Sequence, residues 1–137
     1  MKRILTIAFT FCILGAVAQD TPVFEEPTNG AKIKFEESSF DFGDINQGDV
    51  VEHTFAFENV GNQPLILSNV MTTCGCTVPA WPREPIAPGT KSEITVKFNS
   101  RGKIGIQNKV ITIVSNAVNQ NERVKIVTNV KVPQTDG

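Results

Sequence analysis

Short runs in which apolar and polar side chains alternate follow one another from residue 31 to residue 132. The runs are rich in Val, Ile, Phe and Thr, and the joints between them hold Gly, Pro and Asn. Alternation with a period of two, bounded by turn residues, is typical of half-buried β-strands, and no helical period of useful length is present. The pattern predicts seven strands, at residues 31–36, 40–42, 50–59, 65–72, 92–99, 109–115 and 123–132.

The clearest turns between these strands are "NVGNQP" at residues 59–64, "IAPGTK" at 86–91 and "SNAVNQNE" at 115–122. Seven short strands with recurring turn signals predict an all-β fold, a seven-stranded Ig-like antiparallel β-sandwich. The usual Ig cysteine pair and its tryptophan are absent from that arrangement, so hydrophobic packing must hold the sheets together. We expect the 59–64 turn to join the strands beside it as an antiparallel pair.

Alternation also predicts which side chains face the core, since every second residue of a strand points to the same side. Residues 110–114 are apolar on both faces, which indicates a central strand or one covered by a partner. The side chains predicted to point inward on the third and fifth strands are Val51, His53, Phe55, Phe57, Ile94, Val96 and Phe98.

The first twenty residues, "MKRILTIAFTFCILGAVAQD", differ from the rest of the chain. A basic start, an apolar stretch and the small residues at 16–18 predict a signal peptide at residues 1–18, cleaved near Ala18. The apolar stretch is shorter than the roughly 20 residues that span a bilayer, so we expect no integral membrane span. The expected location is secreted or periplasmic, with a flexible leader at 19–30, one Ig-like domain at 31–133 and a tail at 134–137.

The charge balance and the motifs restrict the function. Cleavage removes two of the 13 basic residues and none of the 14 acidic ones, which leaves 11 against 14 and a formal charge of −3. This balance argues against nucleic acid or anionic lipid as the main partner. The chain has neither a nucleophile elbow nor a phosphate-binding glycine loop, so we expect a noncatalytic protein without a cofactor.

Cys74 and Cys76, in "TCGCTVP", are the only cysteines after Cys12 is removed with the signal peptide. In an extended strand their Cα atoms would lie about 6.6 Å apart, near the outer limit for a disulfide, and Gly75 can bend the chain. Three interpretations remain open. The pair forms a local disulfide or two thiols that shape the turn, or it binds a soft metal, or it carries out thiol redox chemistry or bonds another protein.

Two further residues are candidates for function. His53 is the only histidine, and with Cys74 and Cys76 it would suit Cu(I) or Zn(II), although a lone inward histidine is usually a hydrogen-bonded core residue. The predicted pairing through the 59–64 turn would place His53 opposite Met71, a few residues from Cys74. Trp81 lies in the proline-rich "PAWPREPIAP" and either caps one end of the sandwich or anchors a partner.

From about residue 35 to residue 132 the chain carries "FDFGDINQGD", "HTFAFENVGNQPL", "CGCTVPAWPREPIAPG", "VKFNSRGKIG" and "ITIVSNA". With these motifs it resembles a bacterial exported family of unknown function that carries a CGCT motif and is built on the Ig-like fold of Hydin-type (ASH) and major-sperm-protein domains. The resemblance implies the fold and little about activity, although ASH and sperm-protein modules act as interaction domains.

The expected function is therefore an exported noncatalytic module of the cell envelope, with a binding or structural role toward a protein or an envelope component. The alternative is a periplasmic protein that binds copper or zinc, or handles thiols, through Cys74, Cys76 and His53.

Overall fold

The computed structural model describes residues 29–134, so the predicted signal peptide, nearly all of the predicted leader and residues 135–137 lie outside the described residues. The described chain forms two four-stranded sheets, a first sheet in the order β1-β3-β6-β5 and a second in the order β2-β8-β7-β4. This arrangement confirms the predicted β-sandwich. The strands are β1 (Ile33–Phe35), β2 (Ser39–Asn46), β3 (Val50–Asn59), β4 (Leu67–Thr72), β5 (Thr77–Ala80), β6 (Lys91–Asn99), β7 (Gly105–Ser115) and β8 (Asn121–Lys131).

The core lies between the sheets and consists of the side chains that the alternation places inward. Phe55 and Phe57 of β3 are fully buried, and β6 adds three buried side chains from the predicted set. β7 lies between β8 and β4, so the prediction of a central strand for residues 110–114 is confirmed. Each buried aliphatic or phenyl side chain stabilises the fold by about 1.5–3 kcal/mol, and the sheets therefore associate without an Ig-type disulfide between them.

The structure contains one strand more than predicted. β5 was missed because Pro79 lies in its middle, and a proline argues against a strand in the centre of a sheet. β5 is an edge strand, however, and the amide of Asn99 on β6 donates to the carbonyl of Cys76. Because bonded residues alternate along an antiparallel pair, Pro79 lies at a position that faces the free edge, where no amide is needed.

The sandwich is not wholly antiparallel, which corrects a second prediction. β2 pairs in parallel with β8, and its register shifts between Asp41 and Asp44. Gly43 lies within this bulge at a φ of 70°, in the left-handed region that favours glycine. The irregular register breaks the alternation, and the sequence therefore predicted only residues 40–42 of this strand.

The predicted pairing through residues 59–64 is wrong. β3 pairs with β1 and β6 in the first sheet, whereas β4 pairs with β7 in the second, so this segment crosses from one sheet to the other. Asn59 holds the crossing from a fully buried position. Its Nδ2 donates to the carbonyls of Gln63 and Ile86 at 2.7 and 2.9 Å. Its Oδ1 accepts from the amides of Gly61 and Lys32 at 3.1 and 3.3 Å.

Gly61 is required at this crossing because two backbone segments approach each other closely. A Cβ atom at position 61 would lie 2.2 Å from the carbonyl oxygen of Gly30. The Asn-Val-Gly sequence therefore combines a buried amide side chain with a residue that leaves room for the chain beside it.

β7 is much longer than β4, the strand that pairs with it on the side away from β8. β4 pairs with residues 111–115 of β7, and residues 105–110 pair only with β8. Within residues 29–134 the backbone of this segment makes no other backbone hydrogen bond. We call residues 105–110 the free edge of β7.

Asn59→Ala should lower the free energy of unfolding by about 3 kcal/mol or more, because the amides of Lys32 and Gly61 and the carbonyl of Gln63 lose their partner and each unsatisfied group costs about 1–3 kcal/mol. The Ile86 carbonyl keeps the amide of Leu65. Urea unfolding measures the change. The control is Asn62→Ala in the same segment, which removes one exposed hydrogen bond to the amide of Gly30 and should cost less than about 1 kcal/mol. Equal losses for the two variants would show that Asn59 does not hold the crossing.

Candidate functional site

The segment Cys74-Gly75-Cys76 forms the turn between β4 and β5, where the chain crosses back from the second sheet to the first. We call it the CGC turn. The two Sγ atoms are in contact in the arrangement of a disulfide, and the Cα atoms lie 5.4 Å apart. This separation is shorter than the about 6.6 Å of an extended strand, so the chain bends at the turn as predicted.

Hydrogen bonds that do not involve the sulfurs hold the CGC turn. The Thr72 hydroxyl lies 3.0 Å from the carbonyl oxygen of Cys74 and 3.2 Å from that of Thr77. The Thr77 amide donates to the Cys74 carbonyl at 3.3 Å, and the Asn99 amide donates to the Cys76 carbonyl at 2.9 Å. The backbone of the turn is therefore fixed on both sides independently of the bond between the sulfurs.

The Thr77 side chain is the polar group closest to the sulfurs. Its residue is only 3% exposed, and its Oγ1 lies 3.8 Å from Sγ of Cys74 and 3.9 Å from Sγ of Cys76. The two sulfurs are the only hydrogen-bond partners of this hydroxyl in the described part of the chain. Sequence reasoning did not select Thr77, because a threonine at the start of a strand carries no specific signal.

His53 lies on the core-facing side of β3, as predicted. Its ring stacks on Phe40 of β2, with 3.6 Å between centroids and 9° between planes, and meets the ring of Phe55 edge-on. Nε2 is hydrogen-bonded to the carboxylate of Glu37. These contacts are those of a core histidine that packs between the sheets and keeps one polar atom at the surface.

The structure does not bring His53 together with the cysteines. His53 pairs with Val96 on β6, which pairs on its other side with Pro79 of β5. Two strand spacings of about 4.8 Å and three residues of about 3.3 Å rise separate the Cα atoms of His53 and Cys76 by roughly 14 Å. The position opposite Met71 is held by Thr112. Across residues 29–134 no three His, Cys, Asp or Glu side chains lie close enough to hold a metal ion.

Trp81 follows β5 and packs half-buried against the core. The guanidinium carbon of Arg83 lies 3.8 Å from the centre of the indole ring, a cation–π contact that covers one face of the ring. Within residues 29–134 the indole Nε1 is buried and has no hydrogen-bond partner. Trp81 is therefore half-buried beside the core with Arg83 stacked on its indole ring.

The most exposed large apolar side chains of the described residues lie at the start of β7. Ile104 is 65% exposed and Ile106 is 72% exposed, directly beside the free edge of β7. The sequence prediction began this strand at residue 109 and therefore missed the surface. The alternation of Ile104 and Ile106 with Gly105 and Gln107 was the signal that could have extended the strand.

Comparison with known proteins gives a family and a fold. The sequence profile of the family described as "Protein of unknown function (DUF1573)" matches residues 33–130. No curated protein matches the chain in sequence. Among residues 29–134, no helix has the length and apolar character needed to cross a membrane.

Solved structures share the fold at low sequence identity. A protein of unknown function from Porphyromonas gingivalis W83 matches with a TM-score of 0.65 and 19% identity, over 76% of this chain and 49% of that one. The ASH / PapD-like domain of human CEP192 (PapD-like domain 7) matches with a TM-score of 0.65 and 10% identity, over 88% and 99%. The YadV chaperone matches with a TM-score of 0.51 and 16% identity, over 77% and 54%. The chain thus spans about half the length of the Porphyromonas protein.

The double substitution Cys74→Ser, Cys76→Ser should lower the free energy of unfolding by less than about 1.6 kcal/mol, the chain-entropy value for a loop of three residues. The physical reason is that hydrogen bonds fix the turn on both sides. Urea unfolding of the wild type with and without reductant, beside the double variant, measures this loss. A loss of several kcal/mol would show that the pair is a structural staple.

Proposed function

The chain belongs to the family described as protein of unknown function (DUF1573), and we propose that it is an exported, noncatalytic Ig-like module of the cell envelope that binds another protein. The signal peptide predicted at residues 1–18 supports export, and the ASH- and PapD-like fold supports a role in protein interaction. The proposed function needs neither a catalytic residue nor a cofactor.

The observation that carries the proposal is the free edge of β7. An unpaired strand edge presents amides and carbonyls that an extended segment of another protein can bind by strand addition. The side chains of Ile104 and Ile106 stand beside this edge and offer apolar contact to the bound segment. We therefore place the partner along residues 105–110, in line with β4.

The true edge strands of the two sheets are poorer binding sites. β1 has only three residues, β2 contains the bulge at Gly43, and β4 has an irregular register between Leu67 and Asn69. β5 lacks a donor at Pro79, and the amide of Thr77 already donates within the CGC turn. Short, bulged, proline-containing or lysine-bearing edges are the usual means by which proteins prevent strand addition. The free edge of β7 has no proline and no register shift, and its one lysine, Lys109, calls for an acidic residue in the partner.

Charge favours an acidic partner segment. Arg101 and Lys103 precede the free edge of β7 and Lys109 lies within it. The Lys109 ammonium lies 5.9 Å from the centre of the Phe98 ring, at the open side of the core. An extended segment that combines apolar residues with Asp or Glu would complement both the isoleucines and these cations.

The copper or zinc alternative would have to rest on Cys74 and Cys76 alone, because His53 lies on the far side of β6 from β5. Structural Zn sites in proteins have four ligands, and the described residues supply no third one near the sulfurs. The described residues therefore do not supply the ligands of a structural zinc site at the CGC turn.

Ile106→Glu should reduce partner recovery in a pull-down from an extract of the native cell envelope by about tenfold or more, because a negative charge beside the free edge removes the apolar contact and repels an acidic segment. The matched control is Val78→Glu on β5, which changes an apolar side chain that is 61% exposed in the other sheet. Quantitative mass spectrometry of the recovered proteins measures the difference.

A partner that the wild type recovers in the pull-down and the residue-106 variant does not should also protect the backbone amides of residues 105–110 from hydrogen exchange. The measurement adds this partner to the purified domain. Equal recovery by the two variants, or protection elsewhere than at this edge, would contradict strand addition at β7.

A further inference from the structure

We propose that Cys74 and Cys76 form a reversible disulfide that exchanges with the cysteines of a partner protein. This assigns a thiol–disulfide exchange site to the CGC turn, in addition to the binding role proposed above, and the chemistry does not require strand addition.

In the oxidised form, a partner thiolate attacks Sγ of Cys74, the bond between the two sulfurs breaks, and Cys76 leaves as the thiolate. The mixed disulfide between Cys74 and the partner is then attacked by a second partner thiolate, which forms a disulfide in the partner and releases Cys74. Two electrons pass to the CGC turn, and the two protons of the partner dithiol end on Cys74 and Cys76. The reverse sequence transfers the disulfide back.

The two cysteines are assigned different roles because their surroundings differ. Cys76 packs against the hydrophobic core, whereas Cys74 does not belong to that cluster. Gly75 between them is exposed, and a Cβ atom at this position would meet nothing within 4 Å. Cys74 is half-buried, lies outside the core cluster and adjoins an exposed glycine, so we assign it as the attacked sulfur and Cys76 as the sulfur that leaves and returns.

A site of this kind must keep its shape in both redox states, and the CGC turn meets this condition. The hydrogen bonds of Thr72, of the Thr77 amide and of the Asn99 amide persist when the sulfurs separate, because none of them involves sulfur. A loop of three residues also gives a disulfide little entropic stabilisation, so structural cross-linking does not account for the pair. Both cysteines are half-buried at a surface turn, where a disulfide is more accessible to exchange than it is inside the core.

The buried hydroxyl of Thr77 can donate a hydrogen bond to the thiolates that form during exchange. It lies 3.8 and 3.9 Å from the two sulfurs and has no other hydrogen-bond partner in the described residues. A hydroxyl that can donate to either sulfur favours the thiolate that forms when the disulfide opens, and the thiolate is the reactive species in exchange. Thr77 is thus a positioning residue for the thiolate.

The first experiment equilibrates the purified domain with mixtures of reduced and oxidised glutathione and reads the thiols by alkylation and mass spectrometry. We expect the pair to be reduced at glutathione ratios that leave structural disulfides intact. In single-cysteine variants, Cys76→Ser should form the glutathione mixed disulfide at Cys74 about tenfold faster than Cys74→Ser forms it at Cys76, because access controls the rate of exchange. Equal rates would overturn the assignment of Cys74, and a pair that stays oxidised in excess reduced glutathione would overturn the site.

The second experiment tests Thr77 through the pH dependence of thiol alkylation. Thr77→Val keeps the shape of the side chain and removes the hydroxyl, so the alkylation profile should shift to higher pH and the rate at pH 7 should fall by about three- to tenfold. Thr77→Ser keeps the hydroxyl and should restore the wild-type profile. An unchanged profile in the folded Val variant would remove Thr77 from the mechanism. Ile106→Glu should leave both experiments unchanged, which separates this site from the strand-addition proposal.

Discussion

The buried amide of Asn59 is the interaction on which the rest of the arrangement depends. It bonds four backbone groups at the point where the chain leaves the first sheet, and Gly61 leaves room there for the carbonyl of Gly30. A primary amide is suited to this task because it donates twice and accepts twice in one compact side chain. β3 already has β1 and β6 on its two sides in the first sheet, and β4 pairs with β7 in the second sheet.

The surface features follow from that crossing and from the short length of β4. β4 enters the second sheet at Leu67 and leaves it at Thr72, while β7 continues to Gly105. The difference in length leaves residues 105–110 without a neighbour on one side. The position of the open backbone is thus a consequence of where two crossings lie, and the side chains of Ile104 and Ile106 are exposed beside it.

Local patterns in the sequence predicted the sandwich, the bounds of the strand at residues 50–59 and the inward side chains of β3 and β6. Each of these depends on the alternation of apolar and polar residues within one strand, which is visible in consecutive residues of the sequence. Pairing partners depend on distant residues, and for this reason the sequence misplaced His53 beside the cysteines and missed the parallel pair of β2 with β8. Pro79 prevented the prediction of β5, and no sequence signal distinguished Thr77. The edge position of β5 and the contact of Thr77 with the sulfurs become visible only when the neighbouring strands are in place.

The CGC turn and the free edge of β7 both begin at the point in the second sheet where β4 ends. Thr72 is the last residue of β4 and pairs with Ile111, so the CGC turn begins where the open part of β7 begins. A partner segment bound along residues 105–110 would continue the line of β4 and would have one end next to Thr72, two residues before Cys74. Strand addition would then act as the specificity step that delivers a partner cysteine to the exchange site, since holding two reactants in place replaces a bimolecular encounter by an intramolecular one.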